Sequence, residues 1–292
     1  MAMEIEVEKN RPVLQEATVH QESLRMAYLL STIVAVLSAA VSVIGLLFPD
    51  VYRSKDWGNG TSLGNDLVTL VVAVPTLALA IIYSARGSVR GRLLWLGALY
   101  YMVYNYAFYV FGIPVTKLYV PWIAIFVLSG FAFALGMGNL DAEAIGRRFS
   151  ARTPGRLIAV YLVYVAAMVS FLWISQWVKF LRTGQVPEVN GSQSAYQVIA
   201  AVDLSFLVSI QVPAAILLWR RRPWGFVLGN VALVQGAIYT AVMAMVCVFG
   251  WILTPGSRLF SGWFINCVVG STLCLLGLAG LLLNVKSVQT TN

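Results

Sequence analysis

Between Asn65 and Ala85 the chain runs through twenty-one residues with one charge, Asp66, at its start and one proline, Pro75, inside it. A span needs about 20 apolar residues to cross a hydrocarbon core roughly 30 Å thick. Arg86, Arg90 and Arg92 then close the run. A looser copy follows later: Asp203 opens a run, Pro213 interrupts it, and Arg220, Arg221 and Arg222 close it. The aspartate-to-proline spacing is nine residues in the first and ten in the second. This pattern reads as one helix occurring twice in a membrane protein.

The rest of the chain fits that frame. Charged residues are 11% of it and hydrophobic ones 59%, against roughly 25% charged in soluble domains. The expected fold is all-α, a polytopic transmembrane bundle of about eight spans. These run over 26–48, 65–85, 93–112, 118–138, 157–180, 195–219, within 223–251, and over 262–285. Residues 1–25 form a polar, mobile cytoplasmic tail with no signal peptide, and 286–292 a second tail. An outer loop runs to Gly64, with Trp57 as an interface anchor. Two parallel four-helix repeats, 26–138 and 157–285, are expected; Val110-Phe111-Gly112 and Val248-Phe249-Gly250 recur in matching spans.

The charges set an orientation. A net charge of +8 raises the question of nucleic acid, but the bases lie in short clusters between apolar runs and not on one soluble face. On eight spans with cytoplasmic termini, 14 of the 20 bases fall on the cytoplasmic side and six on the other, as the positive-inside bias requires. The expected location is the inner (plasma) membrane.

Small residues recur at helical spacing in span one (Ala35, Ser38, Ala39, Ser42, Gly45) and span four (Gly130, Ala134, Gly138), which suits close helix approach. Pro75 and Pro213 read as fixed kinks. Asn59-Gly60-Thr61 and Asn190-Gly191-Ser192 fit the glycosylation sequon, but turns are the preferred reading.

Candidate binding residues are the polar groups inside spans. Asp203 lies well into its helix, where a carboxylate needs a partner, a cavity or a proton. Asp66 stands at a helix start, where capping is the simpler reading. Tyr101, Asn105 and Tyr109 share one face of span three. Gln176, Gln211, Gln235, Tyr239 and Asn266 complete the set, with interhelical glue as the default role for each. A polar site opening outward between the halves, centred on Asp203 and Asn105, is the expectation.

Several chemistries find no support. The single histidine, His20, lies in the tail, so a Ser-His hydrolase and bis-histidine haem are unsupported. Cys247, Cys267 and Cys274 form no CxxC pair, and neither a zinc set nor a phosphate loop occurs. No cofactor or metal is expected.

The phrases GNDLVTL (Gly64 to Leu70) and YNYAFYVFG (Tyr104 to Gly112) resemble those of an uncharacterised prokaryotic family of polytopic membrane proteins. That resemblance implies the membrane class and no activity. The leading functional reading is binding or transport of a small solute or ion. A membrane-embedded enzyme acting on a lipid or isoprenoid, with Asp66 or Asp203 as acid or base, ranks second. An assembly or sensor component ranks third. Expected partners are the bilayer, a small solute or ion, and a further copy or another membrane protein.

Overall fold

In the computed structural model the backbone is described for residues 2–52, 58–189, 192–253 and 259–286, and the side chains for 21–52, 61–189, 192–253 and 262–286. Eleven α-helices are found there: α1 (Ala2–Leu47), α2 (Gly58–Val68), α3 (Val74–Ala85), α4 (Val89–Gly112), α5 (Tyr119–Gly138), α6 (Ala142–Arg147), α7 (Gly155–Thr183), α8 (Gln193–Val202), α9 (Ser209–Trp219), α10 (Pro223–Leu253) and α11 (Leu259–Leu282). Two π-helical turns, Thr69–Ala73 and Asp203–Val208, join α2 to α3 and α8 to α9 into continuous rods. Among the described residues there is no strand, only isolated bridges such as Phe149 with Val285.

Seven helices are long and apolar enough to cross a membrane: Gln21–Leu47, Thr61–Ala85, Tyr119–Gly138, Gly155–Thr183, Gln193–Trp219, Pro223–Leu253 and Gly262–Leu282. The chain is therefore built as a multi-pass helical membrane protein. Helix α4 is 24 residues long, but Asn105, two arginines and five tyrosines lower its apolarity. It is instead the buried axis of the bundle, with every residue from Leu93 to Tyr109 buried except Leu94. Helices α3, α5, α8 and α10 pack around it, and α10 in turn carries α2, α9 and α11. Side chains such as Leu276, Leu275 and Val269 on α11 stay exposed, as a lipid-facing surface requires.

Close approach is set at a few glycines. A Cβ on Gly64 would lie 2.6 Å from the Val246 backbone nitrogen, so α2 and α10 meet backbone to backbone. On α4, Gly97 receives the Val234 side chain of α10. The small-residue stripe of the first span is buried as expected at Ala35, Ser38 and Ser42. The stripe of the fourth is not: Gly130 and Gly138 have open space before them, and Ala134 is exposed. There the buried face runs through Trp122, Ile125, Ser129, Ala132 and Gly136, because α4 presents Leu96 and Trp95 to Gly136.

Two boundaries differ from the sequence expectation. The N-terminal segment is helical from Ala2 and continuous with the first span, consistent with its many good helix formers. Helix α2 begins at Gly58, so the last part of the expected outer loop, 58–64, with its Asn59-Gly60 turn, is helical; residues 53–57, with Trp57, and Asn190-Gly191 lie outside the described residues. The polar stretch 139–156 is folded. Asp141 caps α6 by accepting from the Ala144 N–H at 2.8 Å, and Phe149 stacks on Phe226 at 4.3 Å between centroids.

Candidate functional site

The two phrases singled out in the sequence face each other in space. Span two descends along α4 in antiparallel register and forms three polar rungs. The Tyr109 hydroxyl donates to Asp66 Oδ1 at 3.3 Å. The Asn65 amide donates to Asn105 Oδ1 at 2.8 Å. Thr69 Oγ1 meets the Tyr101 hydroxyl at 3.3 Å, and also donates to Asn65 Oδ1 at 3.1 Å. Tyr101, Asn105 and Tyr109 thus share a face, as their spacing predicts.

Asp66 is not a helix cap. It lies eight residues past Gly58, is buried, and accepts from hydroxyls in place of backbone N–H groups. Its Oδ2 accepts a short hydrogen bond from Tyr52, carried by the 3-10 turn Pro49–Tyr52. Burial, and after it the Asp66 carboxylate, holds the Tyr52 phenol well above the usual tyrosine value, so Tyr52 stays protonated and able to donate. Gly45 makes room for the pair: a Cβ there would fall on Asp66 Oδ2 and on the Tyr52 hydroxyl.

Asp203 occupies the other side of α4. It is the first residue of the second π turn, ten residues past Gln193, or about 15 Å along the rod at 1.5 Å per residue. Tyr104 donates to its Oδ1 at 2.5 Å and the Trp173 indole to its Oδ2 at 2.8 Å. The wide turn also frees a carbonyl, and Tyr100 donates to Phe206 O at 2.7 Å. Tyr239 of α10 packs edge-on against Tyr104 at 4.9 Å and parallel to Phe108 at 6.5 Å.

The two acids differ in the states their partners can serve. Tyrosine hydroxyls donate to a carboxylate and accept from a carboxylic acid. Both oxygens of Asp66 have such partners. Indole N–H only donates, so Trp173 commits Asp203 Oδ2 to accepting while Oδ1 stays free to gain or lose a proton against Tyr104. Among the described residues no cation pairs with either acid.

The remaining candidates divide. Gln235 is fully buried, and neither its Oε1 nor its Nε2 has a hydrogen-bond partner among the described residues. It lies one turn below Tyr239 on α10. Asn105 Nδ2 and Gln211 Oε1 are also unpartnered there. Gln176 is outside the cluster: it is half-exposed and donates to Leu172 O of its own helix at 3.2 Å. Asn266 is exposed on α11. The residues sequence reasoning missed are Tyr104, Trp173, Tyr52 and Gly45. For the first two a signal existed, since a buried carboxylate demands donors and the tyrosine-rich span is their densest source.

Fold and site together define a multi-pass helical membrane protein with two separately held buried carboxylates. The chain matches no family model, no curated protein and no solved structure. No family is therefore assigned to the chain.

Proposed function

We propose that this protein binds and moves a small polar solute or ion across the membrane, with Asp203 taking a proton or cation and Gln235 contacting the solute. The observation that carries the reading is Gln235: a fully buried amide with both polar atoms unpartnered. Leaving a buried group unsatisfied costs about 1–3 kcal/mol, and an amide that pairs with no neighbour is not serving as glue between helices. Tyr239 links its turn of α10 to the Tyr104–Asp203 pair. The Asp203–Tyr104 bond can exist in two protonation states, which gives a way to couple proton or cation occupancy to packing between α4 and the second π turn.

We read the architecture as one in which two halves could alternate access to the site. We count α4 as an eighth span, placing both tails on one side, and read the arginine-rich end as cytoplasmic. Each half then contributes a rod with an aspartate, a π turn, a proline and a basic end, and each rod crosses onto the other half: α2 onto α10, α8 onto α4. We read this as two parallel repeats with α4 and α10 at their common axis. The enzyme reading has less support, because each aspartate has its own donor set and among the described residues no acid–base pair is assembled.

The test is thermal unfolding of purified protein against a panel of ions and small metabolites, followed by uptake into proteoliposomes. A compound at 100 times its dissociation constant adds about 2.7 kcal/mol to stability. We expect a compound that stabilises the wild type, is taken up, and loses both effects in Asp203→Asn. Uptake unchanged in that variant would remove the reading.

A further inference from the structure

At the arginine-rich end, a pocket of about 330 Å³ opens between α1, the α3–α4 turn and α6. Its wall includes Leu24 and Tyr28 from the first turns of one span, Ser84 from the last turn of the next, and Ser88 and Arg92 where α4 begins. Arg148, just after α6, closes it.

Three arginines at this end make described side-chain contacts within the protein. Arg90 donates to Val285 O at 3.0 Å. Arg221 donates to Ser150 O at 3.0 Å and Thr153 O at 3.4 Å. Arg156 lies over the Trp219 ring at 5.8 Å. Arg92 and Arg148 are different. Both are half-buried in the pocket wall, and among the described residues no carboxylate pairs with either. Asp141, which also lines the pocket, caps α6 through its Oδ1.

We propose that this pocket binds a phosphate-bearing anion, held by Arg92 and Arg148. Two guanidinium groups offer planar donor pairs that match phosphate oxygens, and the first turn of the 24-residue α4 adds a favourable dipole. The Ser88 hydroxyl, which accepts from the Gly91 N–H, provides a further donor, Ser84 is bonded to the Tyr28 hydroxyl at 2.8 Å, and Leu24, Val89 and Ile145 give an apolar wall. The pocket lies where two spans end, the level at which lipid headgroups sit. A phospholipid phosphate and free phosphate share the recognised chemistry.

The test uses full-length protein in a neutral detergent, titrated separately with inorganic phosphate and with short-chain phosphatidylglycerol, and followed by melting temperature and native mass spectrometry. Wild type is expected to bind at least one probe. Arg92→Gln and Arg148→Gln are each expected to weaken it tenfold or more, and Asp141→Asn to tighten it several-fold. Binding of the lipid alone assigns a headgroup site; competition by inorganic phosphate assigns a free-anion site. Asp141→Asn guards against arginine variants that simply misfold, since it adds affinity. Failure of both probes to bind, or equal affinity in wild type and all three variants, overturns the proposal.

Discussion

Tyr104 and Tyr109, five residues apart on α4, hold two different buried aspartates, Asp203 and Asp66. One helix therefore carries one donor to each acid, and the rods bearing those acids are tied to it through these bonds; Tyr52 and Trp173 supply the second donors from elsewhere. Movement of either rod must break a tyrosine–aspartate bond on α4.

The first prediction concerns Tyr104. Replacing it with Phe leaves Asp203 Oδ1 without its donor, which costs about 1–3 kcal/mol for a buried group. The same change in an Asp203→Leu background, which has no acceptor for the hydroxyl, is expected to cost measurably less, with a coupling of about 0.5–3 kcal/mol typical of contacting residues. Unfolding of the four proteins in one detergent measures it. Additive losses would mean that the two side chains do not share a bond.

Gly45 gives a steric counterpart. Alanine there places a methyl group on the Tyr52 hydroxyl and the Asp66 carboxylate, and such overpacking costs about 1–3 kcal/mol. In a Tyr52→Phe background part of that clash is gone, so Gly45→Ala should be less damaging there. A Gly45→Ala protein as stable as wild type would show that the Tyr52–Asp66 pair has room to shift.

The polar rungs predict a register. With the native cysteines replaced, a cysteine pair at Asn65 and Asn105 is expected to join through a short bifunctional thiol reagent. A pair at Asn65 and Tyr104 should not, because Tyr104 points about 100° round the helix from Asn105. Gel mobility after protease cleavage between α2 and α4 reports the link. Equal linking of both pairs would place span two elsewhere on α4.

How much of this was legible follows from what a bilayer enforces. Apolar length identified the helical runs because unsatisfied backbone cannot face lipid. The shared face of Tyr101, Asn105 and Tyr109 followed from helical geometry alone. Its partner did not: which face meets which neighbour depends on packing between distant segments. So Asp66 read as a cap when its helix begins seven residues earlier than expected, and Gly45 read as part of a packing stripe when its particular contact is a carboxylate–phenol pair. In the fourth span the same spacing pointed to the wrong face, since glycine spacing marks a helix able to approach another and not the direction of approach.

The last prediction isolates Gln235. Methionine is close to glutamine in length and volume and asks for no hydrogen bonds. If the buried amide is unpartnered until solute arrives, Gln235→Met should raise the stability of ligand-free protein by about 1–3 kcal/mol. The same variant should lose the stabilisation that a bound solute gives the wild type. Those two shifts have opposite signs, which a residue serving only as packing does not produce. Melting temperatures with and without the stabilising compound read both at once. A variant that melts lower than wild type, yet responds to the compound as strongly, would show that the amide is bonded in the resting protein. The proposed solute contact at Gln235 would then fall, leaving Asp203 as the position at which to look for coupling.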